Sequence, residues 1–216
     1  MFISILIPLY NGIEFLIESV DSVKKQTYPH WEIIIGINGH KKNSNIYKQA
    51  TDLENKQIKV IEYLNAKGKP QTLNKMINDC SYDLICILDV DDKWLPTKLE
   101  EQIKVKKDYD IVGTLCQYFG SKNCIPRIPK RNIHKKQFFK SNPIINSSCM
   151  INKKDATWND EILEDYDMWL RLNYERKTFY NIPLVLTLHR IHDKSYFNNT
   201  NNKHVEKLIL KWKQIY

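Results

Sequence analysis

The sequence predicts an α/β fold: a single domain whose mostly parallel sheet is flanked by helices. Three observations carry that expectation. Short runs dense in Ile, Leu and Val alternate with helical patterns through the first half of the chain, as parallel strands buried on both faces require. The 216 residues, 42% of them hydrophobic, suffice for one core of ordinary size. No internal repeat or low-complexity linker interrupts the pattern.

The elements follow in order. Strands are expected at Phe2–Pro8, Trp31–Ile37, Ile58–Tyr63 and Asp83–Leu88, with helices between them over about Glu14–Gln26, Asn45–Leu53 and Gln71–Cys80. The second half is less regular. A strand is expected at Asn146–Ile151, a helix from Glu164 to Tyr174, a strand near Pro183–Leu188 and an amphipathic helix from His204 to Ile215. That last helix carries Val205, Leu208, Ile209, Trp212 and Ile215 on one face, with Lys203, Lys207, Lys211 and Lys213 around it. Packing on the sheet or on a second copy in a homodimer is the first expectation for this face, and peripheral contact with an anionic membrane the next.

Composition narrows the class. No apolar run approaches the ~20 residues of a spanning helix. Phe2–Pro8 lacks a basic leader and reads as a buried strand, not a signal peptide. The expected location is cytoplasmic, soluble or peripheral at a membrane. Five cysteines without CxxC spacing read as reduced structural thiols. The net charge of +8 points to an anionic partner. Nucleic acid is not expected, because 28 of the 33 cations are lysine and only five are the arginine that base readers favour.

Ligands on parallel sheets bind beyond the carboxyl ends of the strands. The segments there are Pro8-Leu9-Tyr10-Asn11-Gly12, Asn38-Gly39-His40, Asn65-Ala66-Lys67-Gly68-Lys69 and Asp89-Val90-Asp91-Asp92. The last is the sharpest. A turn or cap needs one carboxylate, and three in four residues repel unless a cation or good donors lie nearby. Asp89-Val90-Asp91 has the form that lets Mg²⁺ or Mn²⁺ bridge a diphosphate, since hard cations take oxygen ligands. Asn38 can hydrogen-bond a base edge, and Lys67 and Lys69 either reach phosphates or are solvated.

These segments resemble family 2 of the glycosyltransferases. The resemblance rests on Ile5-Leu6-Ile7-Pro8-Leu9-Tyr10-Asn11, Leu73-Asn74, Ile87-Leu88-Asp89-Val90-Asp91-Asp92, the acidic helix start Glu164-Asp165-Tyr166-Asp167-Met168-Trp169-Leu170-Arg171-Leu172, and Arg190-Ile191-His192-Asp193-Lys194-Ser195. It implies a GT-A fold with a nucleotide-sugar-binding half over residues 1–110, an acceptor-binding half over 111–200 and a C-terminal helix over 201–216. It also implies a nucleotide-sugar donor, with a UDP-sugar the first choice, and a glycan or glycoconjugate acceptor. The donor site would include Pro8, Tyr10, Asn11, Asn38, Lys67, Asn74, Asp89 and Val90. The metal, Mn²⁺ or Mg²⁺, would be held by Asp91, Asp89 and His192. Asp165 would be the general base of an inverting transfer. Crowded acids at a helix start also serve as caps, so the residues alone leave that role open.

One departure stands out. Where the family commonly carries Asp-Asp-Gly-Ser after the second strand, this chain reads Ile37-Asn38-Gly39-His40, which weakens the case for a uracil base. Two other functions fit parts of the sequence: a nucleotidyltransferase on a similar sheet, and a basic nucleic-acid-binding domain. The former lacks its Gly-rich basic loop after the first strand, and the latter its stripe of Arg and aromatics. From Ile111 to Lys154 there is no Asp or Glu, while Lys122, Arg127, Lys130, Arg131, Lys135, Lys136, Lys140, Lys153 and Lys154 fall in that window. Pro126 and Pro129 make its middle a loop. This basic arm is either a solvated loop or an electropositive lid over the donor diphosphate or an anionic acceptor.

Overall fold

The strands of the first half divide their side chains between two cores. In this computed structural model, which describes residues 1–193 and 202–216, β1 (Ile3–Leu9) pairs in parallel with β2 (Trp31–Asn38) and with β4 (Leu84–Ile87), and β2 pairs with β3 (Ile58–Tyr63). Ile5, Ile33 and Cys86 lie in register and point to one face, where Leu16, Val20 and Val23 of α1 (Ile13–Lys24) cover them. Leu6, Ile34 and Ile87, one residue on, point to the other face, against Leu73 and Met76 of α3 (Gly68–Asp79). The period of two thus buries β1, β2 and β4 on both sides. Each of these isoleucines contributes about 1.5–3 kcal/mol of burial. α2 (Asn45–Thr51) is capped by the Ser44 hydroxyl, which accepts from the Tyr47 amide at 3.2 Å.

Two glycines are dictated by this packing. A Cβ at Gly36 would meet Met76 Sδ at 2.4 Å, so α3 approaches β2 only because the side chain is absent. Gly12 turns the chain from β1 into α1 with φ +89°, which leaves Tyr10 and Asn11 at the strand exit.

Beyond β4 the pairing becomes mixed. The order across the sheet is β3-β2-β1-β4-β8-β6-β9-β5, with β7 also on β9, nine strands among the described residues. Here β5 is Lys93–Trp94, β6 Ile111–Gly120, β7 Arg131–Asn132, β8 Met150–Asn152 and β9 Phe179–Ile191. β6 and β9 run parallel, whereas β8 is antiparallel to both β4 and β6. Helices α4 (Lys98–Lys106), α5 (Lys135–Phe138), α6 (Glu164–Tyr174) and α7 (Asn202–Ile215) complete the chain. The single α/β domain with a sheet flanked by helices is therefore as the sequence predicts.

Several local expectations change. The strand expected at Asn146–Ile151 begins only at Met150, because Asn146–Ser148 wind a 3-10 turn. Tertiary contacts hold that turn: Ser147 Oγ accepts from the Asp89 amide at 3.0 Å, and its carbonyl accepts from Trp94 Nε1 at 2.7 Å. The strand expected near Pro183–Leu188 extends to Phe179–Ile191, and β6, unpredicted, is its partner. α7 packs Leu208 and Trp212 into the core, and Trp212 Nε1 donates to the buried Asp167 at 2.8 Å, while Ile215 stays exposed. Arg171 Nη1 pairs with Glu175 at 2.9 Å, and Trp169 is fully buried.

Candidate active site

One cavity of about 1180 Å³ opens at the carboxyl ends of β1, β2 and β4 and reaches across to α6. Its wall includes Pro8, Tyr10, Asn11, Asn38, Asp89, Val90, Asp91, Asp165 and His192, so nine of the eleven residues singled out in the sequence meet around one space. Lys67 and Asn74 do not. Lys67 is exposed ahead of α3, its amide donating to Gln71 Oε1 at 2.9 Å. Asn74 is taken up by the backbone of Trp158: its Nδ2 donates to the Trp158 carbonyl at 2.7 Å and its Oδ1 accepts from the Trp158 amide at 3.0 Å. Neither side chain lines the cavity. Lys69 comes two residues later, about half a turn of α3, which carries it inward and leaves Lys67 outside.

Lys69 is the cation at the centre. Its Nζ lies 2.6 Å from Asp89 Oδ1 and 3.4 Å from Glu164 Oε1. Burial opposes its charge, but the carboxylates of Asp89, Glu164 and, farther off, Asp165 hold it protonated. Burial likewise opposes ionisation of Asp89, and is outweighed by Lys69 and by Asn146 Nδ2, which donates to both carboxylate oxygens at 3.2 and 3.3 Å. Asp89 is therefore held below the usual carboxylate range.

Asp91 has the opposite character. Removal from water raises it, and the neighbouring charges of Asp92 and Asp89 add to the effect. Its Oδ2 sits 3.0 Å from His192 Nε2. The chain reaches that contact through Asp92, a fully buried carboxylate that accepts from the Arg190 amide at 2.8 Å and lies 2.9 Å from His189 Nδ1. Burial disfavours a charge on His189, but Asp92 prevails and lifts the imidazole to about 9. Arg190 Nε donates to the Asp91 carbonyl at 2.9 Å, and its guanidinium lies over the rings of Phe15 and Phe119. Lys194 and Ser195, also part of the late sequence motif, lie outside the described residues.

Asp165 stands at the start of α6, next to Glu164, which Lys69 joins to Asp89. Asn142 Nδ2 donates to its Oδ2 at 2.9 Å, and the Tyr166 amide to its Oδ1 at 2.7 Å. Removal from water raises Asp165 to about 6, and Glu164 adds its like charge. A carboxylate poised there can take up a proton near neutral pH.

The donor set also bears on a metal. Among the described residues no three His, Cys, Asp or Glu side chains already converge on one point. A hard divalent cation commonly takes one or two carboxylates and completes its shell with phosphate oxygens and water. Asp91 with His192 suits that chemistry, whereas Asp89 is engaged by Lys69 and Asn146.

Sequence reasoning offered Lys69 to phosphates and not to Asp89 and Glu164, and it missed Asp92, Asn142, Asn146 and His189 as site residues. Asp92 lay inside a quoted motif, and Asn146 opened an expected strand. Both were signals without a distance attached.

The profile of Glycosyl transferase family 2 matches residues 4–166. The chain is 30% identical over 207 residues to the O-antigen biosynthesis glycosyltransferase WbnJ of Escherichia coli, covering 89% of this chain and 81% of that one. It is 29% identical over 185 residues to an uncharacterized glycosyltransferase of Methanocaldococcus jannaschii, covering 78% and 63% respectively. Among solved structures it superposes on S. aureus TarS 1-349 in complex with UDP-GlcNAc with a TM-score of 0.75 at 13% identity, covering 98% of this chain and 66% of that one. It superposes on the mannosyltransferase PcManGT of Pyrobaculum calidifontis, in complex with GDP-Man and Mn²⁺, with a TM-score of 0.69 at 14% identity, covering 91% and 59%. The chain thus spans less than two thirds of the archaeal relative and of both solved structures. The fold is shared with these structures, and on the match over residues 4–166 the chain belongs to the family 2 glycosyltransferases.

Proposed function

We propose that this chain transfers a sugar, with inversion, from a nucleotide-diphosphate donor to a hydroxyl of a glycan or glycoconjugate. The observation that carries the reading is that one cavity gathers Asp89, Asp91 and His192 with Asp165, a buried carboxylate raised toward neutrality.

In this reading Pro8, Tyr10, Asn11, Asn38 and Val90 surround the nucleotide, and residues 1–110 form the donor half. Asp89, fixed by Lys69 and Asn146, accepts hydrogen bonds from donor hydroxyls. Asp91 and His192 would hold Mg²⁺ or Mn²⁺. When bound, that ion offsets the charge developing on the leaving diphosphate. Asp165 takes the proton of the acceptor hydroxyl as its oxygen attacks the anomeric carbon. The carbon–oxygen bond to the diphosphate breaks, and its electron pair leaves with the nucleotide. One base suffices for this inversion, and its contribution is about 10²–10⁴-fold.

A UDP-sugar is the first donor to try. TarS was solved with UDP-GlcNAc and PcManGT with GDP-Man, and Asn38, with no carboxylate to meet a uracil, keeps both bases in the screen. The test follows nucleotide release from UDP- and GDP-sugars with Mn²⁺ or Mg²⁺ and with chelator. Metal-dependent release from one donor is expected, and no release from any donor under either condition would overturn the reading.

A further inference from the structure

A lysine at the start of α4 is fully buried without a carboxylate. Lys98 is 0% exposed, and among the described residues no Asp or Glu pairs with it. Burial holds its amine below the ordinary lysine range. A cation in the interior is costly, and an apolar side chain of similar length would avoid that cost. Lys98 Nζ instead serves two neighbours. It donates to Gln102 Oε1 at 2.7 Å, one turn along α4, and lies 3.8 Å from the centre of the Trp94 ring.

Both neighbours grip one turn. Because Lys98 Nζ donates, Gln102 Oε1 faces it, and Gln102 Nε2 is left to donate to the Val112 and Ser148 carbonyls at 2.7 and 2.8 Å. Trp94 Nε1 donates to the Ser147 carbonyl at 2.7 Å. The consecutive carbonyls of Ser147 and Ser148 are thus each held by a side chain that Lys98 touches. The same turn holds Asp89: Ser147 Oγ accepts from the Asp89 amide, and Asn146 Nδ2 donates to the Asp89 carboxylate. Asn146 and Asp89 line the cavity, whereas Trp94, Lys98, Gln102, Ser147 and Ser148 do not. The network therefore meets the cavity at Asn146 and Asp89.

We propose that Lys98 is a positioning residue for Asp89, acting through Gln102 and Trp94 on the Asn146–Ser148 turn. This deepens the glycosyltransferase reading and rests on Asp89 contacting the nucleotide-diphosphate donor. Lys98 destabilises the interior while it orders a binding carboxylate, so an apolar replacement separates the two effects: the fold keeps its stability and the site loses affinity.

The test uses Lys98→Met and Trp94→Phe, which remove the buried amine and the indole donor while keeping apolar bulk. Hydrogen exchange of the Asp89 amide, relative to core amides of β1 and β2, is followed by NMR, and calorimetry measures UDP and GDP binding with Mg²⁺. In each variant the Asp89 amide is expected to exchange about tenfold faster and the nucleotide to bind about tenfold more weakly. Lys98→Met is expected to melt no lower than the unaltered protein. Added to Asp89→Asn, Lys98→Met is expected to weaken the nucleotide no further, because the two residues act as one unit. An unchanged Asp89 exchange rate in Lys98→Met would overturn the proposal, whatever the melting temperature. A further loss of full size in the Asp89→Asn background would overturn it too, since Lys98 would then act by another route. If Asp89→Asn itself leaves affinity unchanged, or if neither nucleotide binds the unaltered protein, the donor reading fails. The exchange rate of the Asp89 amide then upholds or overturns the positioning role by itself, so the two failures are told apart.

Discussion

Asp91 Oδ2 and His192 Nε2 lie 3.0 Å apart although 101 residues separate them in the chain. The contact is imposed by the buried Asp92, which fastens the β4–β5 loop to the end of β9 through His189 and the Arg190 amide. Two loops from opposite halves of the sheet thereby present a carboxylate and an imidazole to one space. The proposals divide the cavity between this pair and Asp165, and each part has its own test.

Nucleoside diphosphate should bind at least tenfold more tightly with Mn²⁺ or Mg²⁺ than with chelator. Asp91→Asn and His192→Ala should each erase most of that difference while the melting temperature in the absence of metal stays close to that of the unaltered protein. Calorimetry reads both, and equal affinities with metal and chelator would remove the cation from the mechanism.

Asp165→Asn should lower transfer by about 10²–10⁴-fold and leave nucleotide affinity within about twofold. The amide keeps the shape, and its one oxygen can still accept from the Tyr166 amide. If the variant loses nucleotide affinity in parallel with Asp91→Asn, Asp165 serves the donor and not the acceptor.

The pH profile should follow the same carboxylate. Asp165 is lifted to about 6 and acts only when deprotonated, so kcat/KM should rise with pH through that value and level off above it. The stability effect has the opposite sign. Between the ordinary carboxylate range and about 6 the folded state binds the extra proton, so Asp165 makes stability fall as pH rises through this window. Asp165→Asn should therefore melt no lower than the unaltered protein at pH 7, and the gap should close below pH 4. A variant that melts well below the unaltered protein at pH 7 would show that the ionised carboxylate stabilises the fold.

Asn74→Ala should destabilise the protein by about 1–3 kcal/mol in urea unfolding, since it strands the amide and carbonyl of Trp158. The KM for donor should change little. A large rise in donor KM with unaltered stability would restore Asn74 to the donor site.

The sequence by itself determined the parallel half of the sheet, because the apolar runs can satisfy two cores only as strands buried on both faces. It also determined which loops matter, since the strand exits carry Asp89 to Asp92 and the turn at Gly12. What it lacked was distance. Nothing local says that Lys69 and not Lys67 turns inward, because that depends on where α3 begins against β2. The same holds for Asn142 and Asn146, whose partners Asp165 and Asp89 are 23 and 57 residues away. β6 was illegible for a related reason: its place is set by β9, some seventy residues on, through a pairing that shifts register around Leu115. Periodicity reports which face of an element is buried, whereas charge pairs and strand partners from distant segments are chosen by packing. The residue types of the site were thus present in the sequence, and tertiary structure alone decided which carboxylate meets a lysine, which a histidine and which an asparagine.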